Sequence, residues 1–399
     1  MNWNFREHQV EGSNWAIATL RKYGMAYLGW HERTGKTGTA ISTIEQSKAK
    51  ACLIVTKKKA MPGWIEALAN FPTEKIYVVI NYESIHKVMG KFDIVVLDEA
   101  HHAISSFPKP SGTWKKVRVI TKGLPILYLS ATPYSEHLGL IYHQLKLSDW
   151  CPFKEKNAYD FFRRYGIPSM TRTPMGLQET YKKFKDKEIL EVIAPIFNFK
   201  TRADVGISVE PEVNVIKIKM NENSVLLMSN WVKDRVIYVD GHEIVGDSDA
   251  KLRSVHYQIE GGTIKVDQKT WVGTHNNLYC EKLVYILDNY DLSNIAIMAN
   301  FIAEREMLAK YLPGVRILSS DGDAEGVDLS DVEKLIIYSM SYKTSKYTQR
   351  IARQANHNRV LPILVDILVA DKPGIGYAIY KSVAIKKENF IKNSYEQCI

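Results

Sequence analysis

Three short motifs carry residue types that could do chemistry. Gly35-Lys36-Thr37 follows the apolar stretch Met25–Gly29 and precedes the helix-compatible run Thr39–Ile44. Strand, loop, Gly-Lys-Thr and helix together make a phosphate-binding context. Backbone N–H groups and a helix N-terminus hold phosphate oxygens, a lysine at position 36 reaches the β- and γ-phosphates, and a hydroxyl at Thr37 can be a Mg²⁺ ligand. The wider phosphate-loop pattern asks for glycine at position 30, where this chain has Trp30. The second motif, Asp98-Glu99-Ala100-His101, closes the apolar run Ile94–Leu97, 62 residues after Lys36. An aspartate at the tip of a strand beside a phosphate loop can hold Mg²⁺, and the adjacent glutamate can orient and deprotonate a water. Two surface acids capping a strand would be the plainer reading, but it does not account for the four-residue run at that place. The third motif, Ser130-Ala131-Thr132-Pro133, ends another apolar run. By itself it reads as an ordinary turn; beside the acidic pair, its hydroxyls could link that pair to a bound strand. Together the first two motifs point to an ATPase using ATP and Mg²⁺.

The elements that must position these residues are legible as short apolar runs alternating with helical-period segments. Ala51–Thr56, Ile76–Ile80, Ile94–Leu97 and Ile126–Leu129 have strand length, with stretches such as Trp64–Leu68 suited to amphipathic helices between them. Continuous β-branched runs separated by helices are what a parallel sheet buried on both faces requires. The same alternation returns after residue 290, at Ile295–Met298, Val315–Leu318, Leu335–Tyr338 and Ile363–Ile367. The expected fold is α/β, with two parallel-sheet lobes and an α-helical insertion between them. Residues 136 to about 205 read as helices, for example Glu179–Phe184, whereas Val213–Lys219 alternates with period 2 like a half-exposed strand. The boundary is placed near residue 208, giving 1–207 and 208–399.

Composition narrows the classes. The chain has 399 residues, 45% hydrophobic and 11% aromatic, enough for packed cores and against a largely disordered chain. Its four cysteines lie far apart with no CxxC pair, against a disulfide framework or a cysteine zinc site. The N-terminal residues lack an apolar signal region, and no apolar run reaches the roughly 18 residues of a membrane span. A cytoplasmic, monomeric protein with no membrane contact is the expectation. The net charge of +9 suits an anionic partner. Lys57, Lys58 and Lys59 follow a strand end, on the side where a parallel sheet places its ligand; phosphate contacts from such a cluster would be salt-dependent and blind to sequence. The adjacent histidines His101 and His102 lack further ligands at metal spacing, so no metal is assigned to them.

With these residues in view, the chain resembles superfamily 2 helicases, most closely the Swi/Snf-type ATPases and compact phage- or bacterial-type relatives with a DEAH box. Phe5-Arg6-Glu7-His8-Gln9 resembles the family's N-terminal adenine-reading segment, residues 35–37 its motif I, 98–101 its motif II and 130–132 its motif III. Leu53–Lys58 followed by Trp64 is similar to motif Ia, and Asn81-Tyr82-Glu83 to motif Ib. Ala299-Asn300-Phe301 stands where motif IV is expected, Gly322–Leu329 is similar to motif V, and Gln349-Arg350-Ile351-Ala352-Arg353 to motif VI. The helical segment after Pro133 and Thr201–Val205 also fit the subfamily. Two departures stand out: Arg33 replaces a customary glycine two residues before Gly35, and Asn356 replaces a second motif VI arginine.

The resemblance implies two RecA-like lobes that close on ATP and a strand moved stepwise on opening. Its catalytic set is Lys36, Asp98, Glu99 and, as arginine finger, Arg353, with Arg350 and Arg359 in reserve. Arg6, Gln9, Arg33, Thr34, Gly35, Lys36, Thr37, Gly38, Gly326, Asp328, Gln349, Arg350 and Arg353 would bind ATP, and Thr37 with Asp98 would hold Mg²⁺. His101, Ser130 and Thr132 would couple the ATP site to nucleic acid. Thr56, Lys57, Lys58, Asn81, Tyr82, Asn300 and Ser319 would contact it. The implied activity is that of a DNA helicase or translocase acting on duplex, junction or single-stranded DNA. A non-catalytic nucleic-acid-binding module with a decayed ATP site is one alternative. The motor subunit of a restriction or nuclease assembly is another, and a nuclease or a replication or recombination protein is the partner it implies.

Overall fold

A computed structural model describes residues 5–134, 136–173, 176–207, 211–267, 271–273, 280–320, 329, 331–342, 347, 350 and 362–387. They fall into two compact units, one within Met1–Ser208 and the other within Val209–Glu388.

The first unit runs α1 (Glu7–Tyr23), β1 (Met25–Trp30), α2 (Lys36–Gln46), β2 (Ala51–Thr56), α3 (Met61–Ala69), β3 (Ile76–Asn81), β4 (Ile94–Asp98), α4 (His101–Ile104), α5 (Gly112–Thr121) and β5 (Ile126–Leu129). Then come α6 (Ile141–Leu145), α7 (Ala158–Tyr165), β6 (Ser169–Thr173), β7 (Gly176–Thr180), α8 (Asp186–Ile193) and β8 (Phe197–Lys200). Six strands form one parallel sheet in the order β3-β2-β4-β5-β1-β8. Successive side chains leave opposite faces of a strand, so each strand feeds two cores. Ala26, Leu28, Ile54, Val96 and Leu129 pack with Ala16 of α1, Ile41 of α2 and Trp64 of α3. Their neighbours Tyr27, Leu53, Val95, Leu97 and Tyr128 pack with Val117 of α5, Ile141 of α6, Phe161 of α7 and Ile189 of α8.

The segment after Pro133 holds more than helices. β6 and β7 form an antiparallel hairpin, and β8 joins the sheet beside β1. The helix expected over Glu179–Phe184 is corrected: β7 ends at Thr180, and Phe184 bridges to Gly166. Phe184 is drawn inward because its ring stacks on His137 at 5.2 Å and occupies the space that the missing side chain of Gly139 leaves.

The second unit contains β9 (Pro211–Ile218), α9 (Glu222–Asp234), β10 (Val236–Val239), β11 (His242–Val245), α10 (Asp249–Glu260), β12 (Thr263–Lys265), β13 (Trp271–Gly273), α11 (Glu281–Asn289) and β14 (Ile295–Ala299). It continues with α12 (Ile302–Tyr311), β15 (Arg316–Ser319), β16 (Lys334–Ile337), β17 (Ile363–Ala370) and α13 (Gly376–Tyr380). Its main sheet is parallel in the order β15-β14-β16-β17-β9. β9 is the half-exposed edge that its alternating sequence requires. A fully buried ion pair, Lys282 Nζ to Glu260 Oε1 at 3.0 Å, ties α11 to the end of α10. Glu260 also accepts the backbone N–H groups of Ala370, Ile375 and Gly376 at 2.8, 3.1 and 2.9 Å.

Candidate functional site

The first unit gathers its chemistry at the C-terminal ends of β1, β4 and β5, where a parallel sheet opens its ligand crevice. β1 ends at Trp30, and α2 begins at Lys36 with Gly35 as its N-cap. Trp30 stands in place of a glycine because it is core: fully buried, its indole N–H donates to Asn198 of β8 at 2.7 Å. The intervening loop is tied down from several sides. His8 bonds the Thr34 carbonyl at 2.9 Å, Gln9 donates to the Gly35 carbonyl at 3.0 Å, and the Thr34 hydroxyl donates to His31 at 2.8 Å. Lys36 turns its ammonium onto the Trp30 and His31 carbonyls at 2.8 and 3.0 Å. Arg33 and Gly35 both have left-handed backbone, φ 65° and 90°; at Arg33 that conformation costs about 1–2 kcal/mol.

Asp98 ends β4 and Glu99 breaks away from it with φ 51°, its N–H bonded to Leu129 at 2.8 Å. Asp98 Oδ2 accepts the Thr56 hydroxyl at 2.8 Å and the Trp64 indole N–H at 2.9 Å, while the Tyr82 hydroxyl donates to the Asp98 carbonyl at 2.9 Å. Glu99 is largely buried, and burial pushes its carboxyl up to about 7. The Lys57 and Lys36 charges oppose that rise, and Asp98 and Glu32 add to it. His101 joins the second and third motifs. Its Nδ1 lies 2.8 Å from Ser130 Oγ and 3.2 Å from Glu99 Oε2, and its Nε2 lies 3.1 Å from Thr132 Oγ1. Glu99, His101 and His102 could place three ligand atoms within 4.8 Å of one another, but both His101 nitrogens already face hydroxyls.

Asp98 and Thr37 fit a divalent cation such as Mg²⁺. Both offer hard oxygen donors, and neither Asp98 Oδ1 nor the Thr37 hydroxyl takes a hydrogen bond among the described residues. Lys36, Gly38 and Glu99 stand around the same loop and strand ends.

Several sequence expectations are corrected. Thr56 and Tyr82 are buried, and their hydroxyls are given to Asp98 rather than presented at the surface for nucleic acid. Thr34 is fully buried, which leaves its side chain nothing to give a nucleotide. Gln9 uses its amide inside the protein, on Gly35 and on the Arg6 N–H, rather than on a base. Arg350 is fully buried in the second unit with its guanidinium on the Ser320 carbonyl (Nε at 2.7 Å), so it is not an open ATP ligand. Lys58 is exposed, while Lys57 and Asn81 are half-buried. Asn300 and Ser319 lie at the C-terminal ends of β14 and β15. Gly326, Asp328, Gln349, Arg353 and Arg359, with most of the motif V and VI segments, lie outside the described residues. Two residues were missed: Trp64 as a partner of Asp98, and Glu32, whose charge acts on Glu99. Neither has a sequence signal beyond its nearness to a motif.

Residues 66–135 match the family model described as type III restriction enzyme, res subunit. That span contains the Asp98–His101 and Ser130–Thr132 motifs and excludes the phosphate loop. No curated protein matches the chain in sequence. Among solved structures, the chain is similar to the SWI2/SNF2 ATPase core of Sulfolobus solfataricus in complex with dsDNA. Identity is 14% and the TM-score 0.44, over 98% of this chain and 94% of that one. The core domain alone of the same archaeal protein gives 14% identity and a TM-score of 0.43, over 98% and 90%.

Proposed function

We propose that the chain is an ATP-hydrolysing motor of the superfamily 2 helicase and translocase type, working on DNA. The observation that carries the reading is the adjacency, on one sheet, of a Gly-Lys-Thr loop opening a helix, the Asp98–Glu99 strand end and the His101–Ser130–Thr132 network. In this reading Lys36 would hold the β- and γ-phosphates, and Thr37 and Asp98 would hold Mg²⁺, whose chemistry there would be charge neutralisation. Glu99, whose carboxyl burial raises to about 7, is in its ionised form the base that takes the proton of the attacking water. Residues 1–207 and 208–399 would then be two RecA-like lobes, with Arg353 as the arginine finger. Lys58 and the turn that contains it would meet the phosphate backbone.

The match of residues 66–135 to a restriction-enzyme subunit favours one narrower reading, that the motor serves a nuclease carried by another chain. Comigration with a nuclease on sizing supports it.

The test is ATP turnover with no nucleic acid, with single-stranded DNA, with duplex and with a four-way junction, each at two salt concentrations. Stimulation by duplex or junction means a double-strand translocase or branch remodeller; stimulation by single strands alone means an unwinding helicase. Lys36→Ala is expected to abolish turnover. Zero turnover by the unaltered protein under every condition overturns the proposal in favour of a decayed ATP site.

A further inference from the structure

Asp98 is held by three side chains: two on its carboxylate and one on its carbonyl. Its partners come from the two strands beside it in the order β3-β2-β4 and from helix α3. Thr56 is the last residue of β2 and stands next to Asp98, since Val55 is in register with Leu97. Tyr82 follows the end of β3 and holds the Asp98 carbonyl just before the left-handed turn at Glu99. Trp64 comes from α3, buried to 2% exposure among Ala40, Ile41 and Ile54, with its indole N–H on Asp98 Oδ2. The two side-chain donors, at 2.8 and 2.9 Å, converge on the same oxygen. Oδ1 takes no hydrogen bond among the described residues.

That asymmetry has a chemical meaning. Hydrogen bonds to an ionised carboxylate are about twice as strong as neutral ones, and two of them on one oxygen fix the rotation of the group. An indole N–H donates and never accepts, so Trp64, like the Thr56 hydroxyl, gives its hydrogen bond to the carboxylate oxygen. A donor pair on Oδ2 thus leaves one oxygen, already oriented, for a cation's shell. Outer partners of this kind govern ligand orientation and metal affinity in many sites. Packing alone would be served as well by phenylalanine at position 64 and valine at position 56, because neither needs a polar atom to fill its place.

We propose that Trp64 and Thr56 are positioning residues that orient Asp98 toward a divalent cation. This rests on the ATPase reading above, and it assigns to the motif Ia segment a task at the metal rather than at nucleic acid.

The test uses the full chain and reads metal binding without turnover. Mn²⁺ is titrated against protein with ADP, and free Mn²⁺ is followed by its paramagnetic resonance signal; fluorescent ADP gives nucleotide affinity in EDTA and in Mg²⁺. Trp64→Phe and Thr56→Val are each expected to weaken Mn²⁺ binding about 10–100-fold. Affinity for metal-free ADP should change by less than about twofold, and Thr56→Ser should restore metal binding. Unchanged Mn²⁺ affinity in Trp64→Phe and Thr56→Val overturns the inference. Equal losses of metal-free and metal-dependent ADP binding also overturn it, because that is the mark of a structural role. If Trp64→Phe fails to fold, Thr56→Val and Thr56→Ser decide alone. If the unaltered protein binds no nucleotide, with or without metal, the ATPase reading itself fails, and this inference falls with it.

Discussion

Replacing Glu99 by glutamine should stop the chemistry and strengthen the fold. The carboxyl is about 18% exposed and lies 3.3 Å from the Ser130 hydroxyl. Burial raises it from 4.5 to about 7, worth at most roughly 3 kcal/mol at 1.36 kcal/mol per pH unit. Residual solvent access reduces this to about 1–3 kcal/mol, the opposing Lys57 and Lys36 charges being already counted in the net rise. The sign follows from proton counting. Between pH 4.5 and about 7 the folded protein binds more protons at this site than the unfolded chain does. Stability therefore falls as pH rises through that window and stays lower above it. Glutamine has the same shape and does not titrate. In EDTA, without nucleotide, Glu99→Gln should melt higher than the parent at pH 8, by ~2–4 °C per kcal/mol for a unit of this size. The difference should shrink toward zero at pH 4.5. In Mg²⁺ and ATP the same variant should lose about 10²–10⁴-fold in turnover while nucleotide binding persists. Thermal melts at the two pH values, with a turnover assay alongside, check both halves. A variant no more stable than the parent at pH 8 refutes the burial argument. Normal hydrolysis refutes the general-base assignment.

Lys282→Met should cost the second unit about 3–5 kcal/mol, because it strands the buried Glu260 carboxylate with only its three backbone donors. Hydrogen exchange of the β14–β17 segments in the full chain reads the loss. Gly12→Ala would place a methyl within 2.5 Å of Trp30 Cζ2 and closer still to Cη2. Overpacking there should cost about 1–3 kcal/mol in a melt.

The two parallel sheets were legible because their central strands are runs buried on both faces, as Cys52–Val55 and Ile94–Leu97 show. The Gly-Lys-Thr loop and the acidic strand end were legible as elements because they stand where an apolar strand run stops, at Trp30 and at Asp98. What lay hidden was decided by contacts distant in sequence. Nothing in Glu179–Phe184 announces that Phe184 will be pulled under His137. Nothing beside Trp64 says that its indole will meet an aspartate 34 positions away. Thr56 and Tyr82 were misread for the same reason: a polar residue at a strand end can face solvent or its neighbour in the sheet, and pairing order alone decides which.

The Gly-Lys-Thr loop holds a placeholder of its own. Lys36 rests on two main-chain carbonyls, and the loop's other polar ends are held by His8, Gln9 and Thr34. An arriving anion must therefore compete with partners already in place, and its affinity is the difference between two satisfied states rather than the gain of filling an empty one. On the proposed reading, such a loop would discriminate by valence. A lone monovalent anion gains little from the exchange, whereas a polyphosphate replaces the two carbonyls and reaches the helix N-terminus as well. The ordering entropy is already spent in folding, which lowers the cost of the exchange when the right ligand comes.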